Sequence, residues 1–89
     1  MKEQVLQTKV IKKLQTEGAY VVKTISTNHA GVPDLLVCLR GQFLGLEIKA
    51  GTEPTRLQEY NIEQINKAGG IAAIVRSVED VEKIIKVLR

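Results

Sequence analysis

The spacing of apolar positions changes several times along the chain, and each change predicts a new element of secondary structure. From Glu3 to about Thr16 apolar residues recur every three or four positions, as in a helix packed on one face, and Gly18 is a suitable stop. Tyr20–Ile25 is rich in β-branched and aromatic residues, which favours a strand. The turn-prone residues 26–31 then follow. The chain therefore opens with a helix and a strand.

Two further strands and a tight turn are predicted for the middle of the chain. Pro33 suits the first position of a strand, so a second strand is expected over Asp34–Leu39. A short turn at residues 40–42 leads into a third strand over Phe43–Lys49. On both strands, leucine, valine or isoleucine occupies every second position. Because side chains alternate along a strand, each of these two strands has one fully apolar face.

The last third of the chain predicts a helix, a strand and a helix. A second helix is expected over Thr55–Lys67, where Thr55 and Gln58 match a capping box. The apolar run Ile71–Val75 is typical of a strand buried on both faces, and a last helix is expected over Ser77–Leu88. The order αβββαβα contains one crossover, which predicts a mixed sheet with helices on both faces. We interpret residues 1–89 as one α/β domain.

Composition narrows the class of protein. With 26% charged and 44% hydrophobic residues, the 89-residue chain is typical of a small globular domain. Its apolar runs are too short to cross a bilayer, so no membrane is expected as a partner. A lone Cys38 and the lack of a signal-peptide core favour a reducing cytoplasm. The net charge of +3 becomes informative if Glu3, Asp34 and Glu47 gather in one site, because the rest of the surface is then clearly positive and suits phosphates.

The turn between the second and third strands decides which polar side chains meet. If Arg40-Gly41 is its centre, Asp34 lies directly across from Glu47, whereas a centre one residue later places Asp34 across from Lys49. Both registers put the three side chains on one face, about 5–8 Å apart at their Cβ atoms. Two carboxylates at that spacing repel each other unless a positive group lies between them. The pattern therefore predicts either a metal site or an exposed salt-bridge set of little energetic weight.

A hard divalent cation, Mg²⁺ or Mn²⁺, would use one or two such carboxylates and keep waters for phosphate oxygens to replace. It would lower the pKa of a bound water and stabilise charge on a transferring phosphoryl group. Lys49 beside it would orient the water or offset developing charge. A role as general base is disfavoured, because a lysine must be strongly desolvated to lose its proton at neutral pH.

The residues around this face carry a resemblance to a known family. Gly31-Val-Pro-Asp-Leu-Leu36, followed by Leu46-Glu-Ile-Lys49, resembles the PD-(D/E)XK nuclease signature, and in its details the VRR-NUC family, including its stand-alone phage members. Glu3 at the start of the first helix and Gln58 at the start of the second extend the resemblance over most of the chain. The loop before the Gly31 block is shorter than is usual in the family.

The resemblance implies a restriction-endonuclease-like αβββαβ(α) core and assigns roles to individual residues. Asp34, Glu47 and the main-chain carbonyl of Ile48 would bind Mg²⁺ or Mn²⁺, and Lys49 would be the catalytic lysine. Glu3 would reach the metal site, directly or through a water, although an acidic residue in a first helical turn also complements the helix dipole. Catalytic Gln58 would touch the nucleophilic water or a phosphate, although a capping-box glutamine needs no further role.

By the same resemblance, the expected activity is that of a Mg²⁺-dependent endodeoxyribonuclease without an organic cofactor. Stand-alone relatives act as homodimers on branched DNA, particularly four-way (Holliday) junctions, where two sites related by a two-fold axis cut symmetric strands. We therefore expect a homodimer with a DNA partner in the cytoplasm, which is the host cytoplasm if the protein is phage-encoded. The alternative is a non-catalytic nucleic-acid-binding module that retains the nuclease fold.

Overall fold

The computed structural model describes residues 1–88, which form three helices and a four-stranded sheet. In chain order the elements are α1 (Glu3–Thr16), β1 (Tyr20–Lys23), β2 (Leu35–Leu39), β3 (Gln42–Ile48), α2 (Arg56–Lys67), β4 (Ile71–Val75) and α3 (Val78–Val87). The strands lie in the order β1-β2-β3-β4, and β2 runs antiparallel to both β1 and β3, whereas β3 and β4 are parallel. The predicted mixed sheet and crossover are confirmed.

The β2–β3 turn adopts the first of the two registers left open by the sequence. Arg40 and Gly41 both have positive φ angles, 53° and 77°, as the two central residues of a type I′ hairpin turn require. Leu35 pairs with Leu46, so the next position outward places Asp34 across from Glu47. The carboxylates of Asp34 and Glu47 therefore start from adjacent backbone positions on one face of the sheet.

One face of the sheet forms the hydrophobic core with α1 and α3. Alternate residues of β2 and β3 on this face are buried, as the apolar alternation predicted. They pack with buried residues of the two helices, and the set includes Leu6, Val10, Leu14, Leu35, Val37, Leu39, Leu44, Leu46, Ile48, Val81 and Ile85. This packing fixes β3, and hence the polar residues on its other face, relative to the N-terminus of α1.

The second face of the sheet is only partly covered, because α2 packs over β3 and β4. The approach is close at Gly45, where a Cβ atom would lie 2.7 Å from Ile65 Cδ1. Beyond α2, apolar side chains of β1, β2 and β3 line an open surface cavity of about 240 Å³. We call this the uncovered sheet face, and its residues are Tyr20, Val22, Leu36, Cys38 and Phe43. The side chain of Cys38 is exposed there.

Several predicted boundaries were wrong by one or two residues. β1 ends at Lys23 and not at Ile25. Thr24 still donates its N–H to the Asp34 carbonyl in register with the ladder (2.8 Å), its hydroxyl donates to the Pro33 carbonyl (2.9 Å), and the pairing does not extend to Ile25. β2 begins one residue later than predicted, and β3 begins and ends one residue earlier. Thr55 and Ser77, predicted as the first helical residues, are the N-caps of α2 and α3. Within residues 1–88, no helix has both the length and the apolar character needed to cross a membrane.

Candidate active site

Asp34 is fixed at the point where the chain enters β2. Its Oδ2 accepts a hydrogen bond of 3.0 Å from the backbone N–H of Ile48. This bond takes the place of a strand-pairing bond and ties the Asp34 carboxylate to the last residue of β3. Asp34 is half-buried, so the carboxylate remains accessible from solvent.

Glu47 is the most buried charged residue of this face, with only 2% of its surface exposed. Its Oε2 accepts a hydrogen bond of 3.0 Å from Gln58 Nε2 and lies 3.5 Å from Lys49 Nζ. Its Oε1 is buried and receives no hydrogen bond from any described residue. A buried carboxylate oxygen without a donor is costly, so this atom requires a partner. The exposed salt-bridge set that the sequence left open is excluded by this burial.

The surroundings of Glu47 make its ionised form unfavourable. Burial raises the pKa of the Glu47 carboxyl to about 7, and the negative charge of Asp34 adds to this rise while Lys49 opposes it. A side-chain hydrogen bond between Asp34 and the protonated form of Glu47 contributes further. A cation between the two carboxylates would remove both causes, since it would replace the lost hydration and screen the repulsion.

The Ile48 carbonyl is left without a backbone donor by the strand pairing. Lys49 donates its N–H to the Val75 carbonyl at 3.0 Å, so the backbone groups of Ile48, one residue earlier, point toward β2. The β2–β3 register places Ile48 across from Pro33, which has no N–H. This carbonyl oxygen is therefore free to bind another group at the edge that carries Asp34.

Lys49, just after β3, and Gln58, in the first turn of α2, contact the same oxygen of Glu47. The Lys49 side chain is only 13% exposed and lies on the face that also carries Glu47. Gln58 is held by the predicted capping box, in which its backbone N–H donates to Thr55 Oγ1 (3.1 Å) and its Oε1 accepts from the Thr55 N–H (2.9 Å). Because Oε1 is occupied, only the amide nitrogen of Gln58 can face Glu47.

Glu3 is placed beside this group but not within it. Its Oε1 accepts hydrogen bonds from the Ala50 N–H (3.2 Å) and the Thr52 hydroxyl (2.9 Å), which lower the pKa of the Glu3 carboxyl. Among residues 1–88, no three Asp, Glu, His or Cys side chains are arranged as a common ligand set. The structure thus brings together four of the predicted side chains, Asp34, Glu47, Lys49 and Gln58, and places Glu3 against the segment that follows Lys49.

Two residues near the site have contacts that the sequence did not indicate. Thr52 joins Glu3 through its hydroxyl and joins Arg76 through its carbonyl, which accepts from Arg76 Nη1 at 2.9 Å. Both contacts lie in an irregular segment, and no motif or periodic pattern marks their positions. Two features of the sequence could have suggested that the segment around Thr52 contacts α1. They are the acidic residue Glu3 in the first turn of α1 and the turn-forming Gly51.

A comparison with solved structures identifies the family. A structure named "VRR_NUC domain" superposes on this chain with a TM-score of 0.83 and 30% sequence identity, covering 98% of this chain and 97% of its own. This chain belongs to the VRR-NUC family. A second structure, named "VRR_NUC domain protein", shares the fold with a TM-score of 0.77 and 21% identity, over 97% of this chain and 86% of its own. No family model and no curated protein matches the sequence.

This structural match confirms the family and the fold that the sequence predicted. The chain is therefore a nuclease-family domain. The arrangement of oxygens in this VRR-NUC chain also fits a hard divalent cation. Two carboxylates and one backbone carbonyl without a strand partner lie at the same edge of the sheet, and one oxygen of the Glu47 carboxylate is buried with no donor among residues 1–88. Carboxylate and carbonyl oxygens are the ligands that Mg²⁺ and Mn²⁺ prefer.

The raised pKa of Glu47 leads to a prediction for this VRR-NUC domain without metal. Its folded-state pKa of about 7 lies above the ordinary value of 4.5, so the folded chain binds more protons than the unfolded chain between these pH values. The stability conferred by protonated Glu47 is therefore complete below pH 4.5 and is lost as the pH rises through 7. We expect this to lower the free energy of unfolding by about 1–3 kcal/mol across the window.

Urea unfolding in EDTA at several pH values measures this loss. Glu47→Gln is the control, because it removes the titrating group and leaves every other ionisable side chain in place. The free energy of unfolding of the variant minus that of wild type should increase as the pH rises. A difference that stays constant over the whole window would contradict the raised pKa.

Proposed function

We propose that this domain is a divalent-metal-dependent endonuclease that hydrolyses phosphodiester bonds in DNA, with water as the nucleophile. The observation that carries the proposal is the buried Oε1 of Glu47, which has no donor in the part of the chain that the structure describes and lies beside a second carboxylate. On a face used only for packing or for ion pairs, a buried carboxylate oxygen without a donor would destabilise the fold without any compensating contact. Family membership supports the nuclease chemistry.

In this proposal Asp34, Glu47 and the Ile48 carbonyl hold Mg²⁺ or Mn²⁺. The cation would supply an activated water and stabilise negative charge on the phosphoryl group. Asp34 keeps its orientation through the Ile48 N–H, so the carboxylate and the Ile48 carbonyl of the neighbouring strand β3 are fixed relative to each other. Glu3, whose Oε1 is held by the Ala50 N–H and the Thr52 hydroxyl, would contribute through a water.

Lys49 and Gln58 have different parts in the proposed reaction. The Lys49 ammonium, close to Glu47 Oε2, faces the position where charge develops and stabilises it or orients the water. Gln58 holds the Glu47 carboxylate in one orientation through Nε2, while the capping box fixes the amide itself. Gln58 thus contributes to catalysis by directing the free oxygen of Glu47 toward the cation.

We further propose that the enzyme is a homodimer acting on branched DNA, such as four-way junctions, in the cytoplasm. One domain of this size carries one site and cuts one strand, so paired cuts need two copies. The uncovered sheet face offers apolar surface for a second copy, with Tyr20 at 72% and Phe43 at 46% exposure. It lies on the same side of the sheet as the carboxylates, so a partner there would face the same substrate.

Cleavage of end-labelled DNA tests the proposed function. A four-way junction and a linear duplex of the same arm sequence are each incubated with the protein in Mg²⁺, Mn²⁺, Ca²⁺ or EDTA, and the oligomeric state is measured at the same concentration. We expect a dimer that makes paired, symmetric cuts in the junction only with Mg²⁺ or Mn²⁺. A monomer that nicks both substrates equally would refute junction specificity, and binding without a cut would indicate a non-catalytic module.

A further inference from the structure

The crossover from β3 to α2, residues 50–55, connects the two groups that contact Glu47 Oε2. Lys49 immediately precedes the crossover, and Gln58 lies in the first turn of the helix that follows it. Any movement of the crossover would therefore change the positions of both groups relative to Glu47. The contacts that fix this segment consequently determine the geometry of the site.

Separate anchors hold the beginning and the end of the crossover. At its start, Glu3 Oε1 accepts from the Ala50 N–H at 3.2 Å. At its end, Thr55 caps α2 and exchanges two hydrogen bonds with Gln58. Neither of these contacts involves the backbone of residues 51–54. With these two contacts alone, that backbone would be free to move.

The centre of the crossover is held by Arg76, which follows β4. Its Nη1 donates to the Thr52 carbonyl at 2.9 Å, and its Nη2 lies 3.2 Å from Glu53 Oε2. The backbone N–H of Arg76 donates to Asp80 Oδ2 at 2.8 Å, so the residue is itself fixed at the start of α3. The guanidinium thus ties the crossover to the junction of β4 and α3.

Thr52 links this anchor to the one at the start of the crossover. Its carbonyl accepts from Arg76, while its hydroxyl donates to Glu3 Oε1, the same oxygen that accepts from Ala50. A change at Arg76 is therefore transmitted through Thr52 and Glu3 to the residue next to Lys49. The transmission runs through direct hydrogen bonds only, each no longer than 3.2 Å.

We propose that Arg76 is a positioning residue for the nuclease reaction, acting through Thr52 on Lys49 and Gln58. This inference rests on the proposed function, because it names a further residue on which the same site depends. A direct contact between Arg76 and a DNA phosphate is the competing role for an arginine near such a site. It is disfavoured because both terminal nitrogens already have partners and the Glu53 carboxylate beside them repels a phosphate.

Steady-state cleavage kinetics of Arg76→Ala and Arg76→Lys separate the two roles. A positioning role predicts that kcat falls by about 10–100-fold in Arg76→Ala with KM within about threefold of wild type, since small misplacements of catalytic groups have effects of this size. Arg76→Lys keeps one donor for the Thr52 carbonyl and should recover part of kcat. Lys67→Ala, which removes a cation from an exposed ion pair outside the crossover, is the control and should cleave like wild type.

A phosphate contact would give a different result. KM for DNA would rise in Arg76→Ala, kcat would stay unchanged, and the slope of log affinity against log salt would fall by about one. That outcome would overturn the proposal. So would an Arg76→Ala variant with wild-type kcat and KM.

Amide hydrogen exchange tests the same contacts without any cleavage. We expect the Ala50 N–H to exchange about tenfold faster in Arg76→Ala, while the Leu46 N–H in the core strand keeps its wild-type rate. If wild type does not cut DNA but this exchange result is obtained, the proposed function fails while the anchoring by Arg76 stands. If Ala50 exchanges at the wild-type rate, or exchanges faster while kcat is unchanged, Arg76 is not a positioning residue.

Discussion

Replacement of Glu47 by glutamine is expected to make the protein more stable and the enzyme inactive. In EDTA at about pH 8, the free energy of unfolding should rise by about 1–3 kcal/mol, because a buried carboxylate is replaced by a neutral group of the same shape. The amide oxygen can keep the bonds to Gln58 and Lys49, and its NH₂ group takes the place of the Oε1 atom that has no donor. Asp34 lies beside it as an acceptor.

Cleavage should fall by about 10³-fold in the same variant, since an amide binds a hard cation far more weakly than a carboxylate and several kcal/mol of charge stabilisation are lost. Urea unfolding and single-turnover cleavage of the junction measure the two effects. Glu63→Gln, which changes an exposed glutamate paired with Lys67, is the control and should alter neither quantity appreciably. A Glu47→Gln enzyme that is less stable than wild type and still cuts DNA would contradict the assignment of this site.

Replacement of Lys49 by alanine should separate metal binding from catalysis. We expect cleavage to fall by about 10²–10³-fold, the usual effect of removing one group that stabilises developing charge. Binding of Mn²⁺ should persist, because Lys49 contributes no ligand atom. The pKa of Glu47 should rise further in the metal-free variant, since Lys49 opposes the rise that burial and Asp34 cause.

Single-turnover cleavage and junction binding in Ca²⁺ are the measurements for this variant. Lys67→Ala removes the same charge from an exposed surface pair and should behave like wild type in both assays. A Lys49→Ala enzyme with wild-type cleavage would show that the ammonium has no part in the reaction. If wild type also fails to cut, while both proteins bind the junction equally, the domain is a non-catalytic binding module.

The fold followed from the sequence because its signals were local. The apolar alternation of β2 and β3, the capping box at Thr55 and the run Ile71–Val75 each indicated an element without reference to the rest of the chain. The β2–β3 register stayed open between two solutions, because the sequence alone did not decide which residues take positive φ angles. Arg40 does so although it is not a glycine, and this places Asp34 across from Glu47.

The parts of the site that were not predicted depend on contacts between distant residues. The end of β1 was misplaced because it is set by how far the pairing with β2 extends, which the propensity of Tyr20–Ile25 does not reveal. The burial of Glu47 depends on how closely α2 approaches at Gly45. The contacts of Arg76 with Thr52 and Glu53 join an irregular segment to the end of β4, and no local pattern encodes such a contact.

Direct binding of Mn²⁺ to the isolated protein tests most closely whether Asp34 and Glu47 form a metal site. Calorimetric titration of wild type, Asp34→Asn, Glu47→Gln and Lys49→Ala would report affinity and stoichiometry without any DNA. We expect saturable binding to wild type and Lys49→Ala that is lost in the two carboxylate variants, with affinity rising as the pH increases toward 7 and Glu47 gives up its proton. Equal binding to wild type and Asp34→Asn, or none to wild type, would contradict a metal site between these two carboxylates.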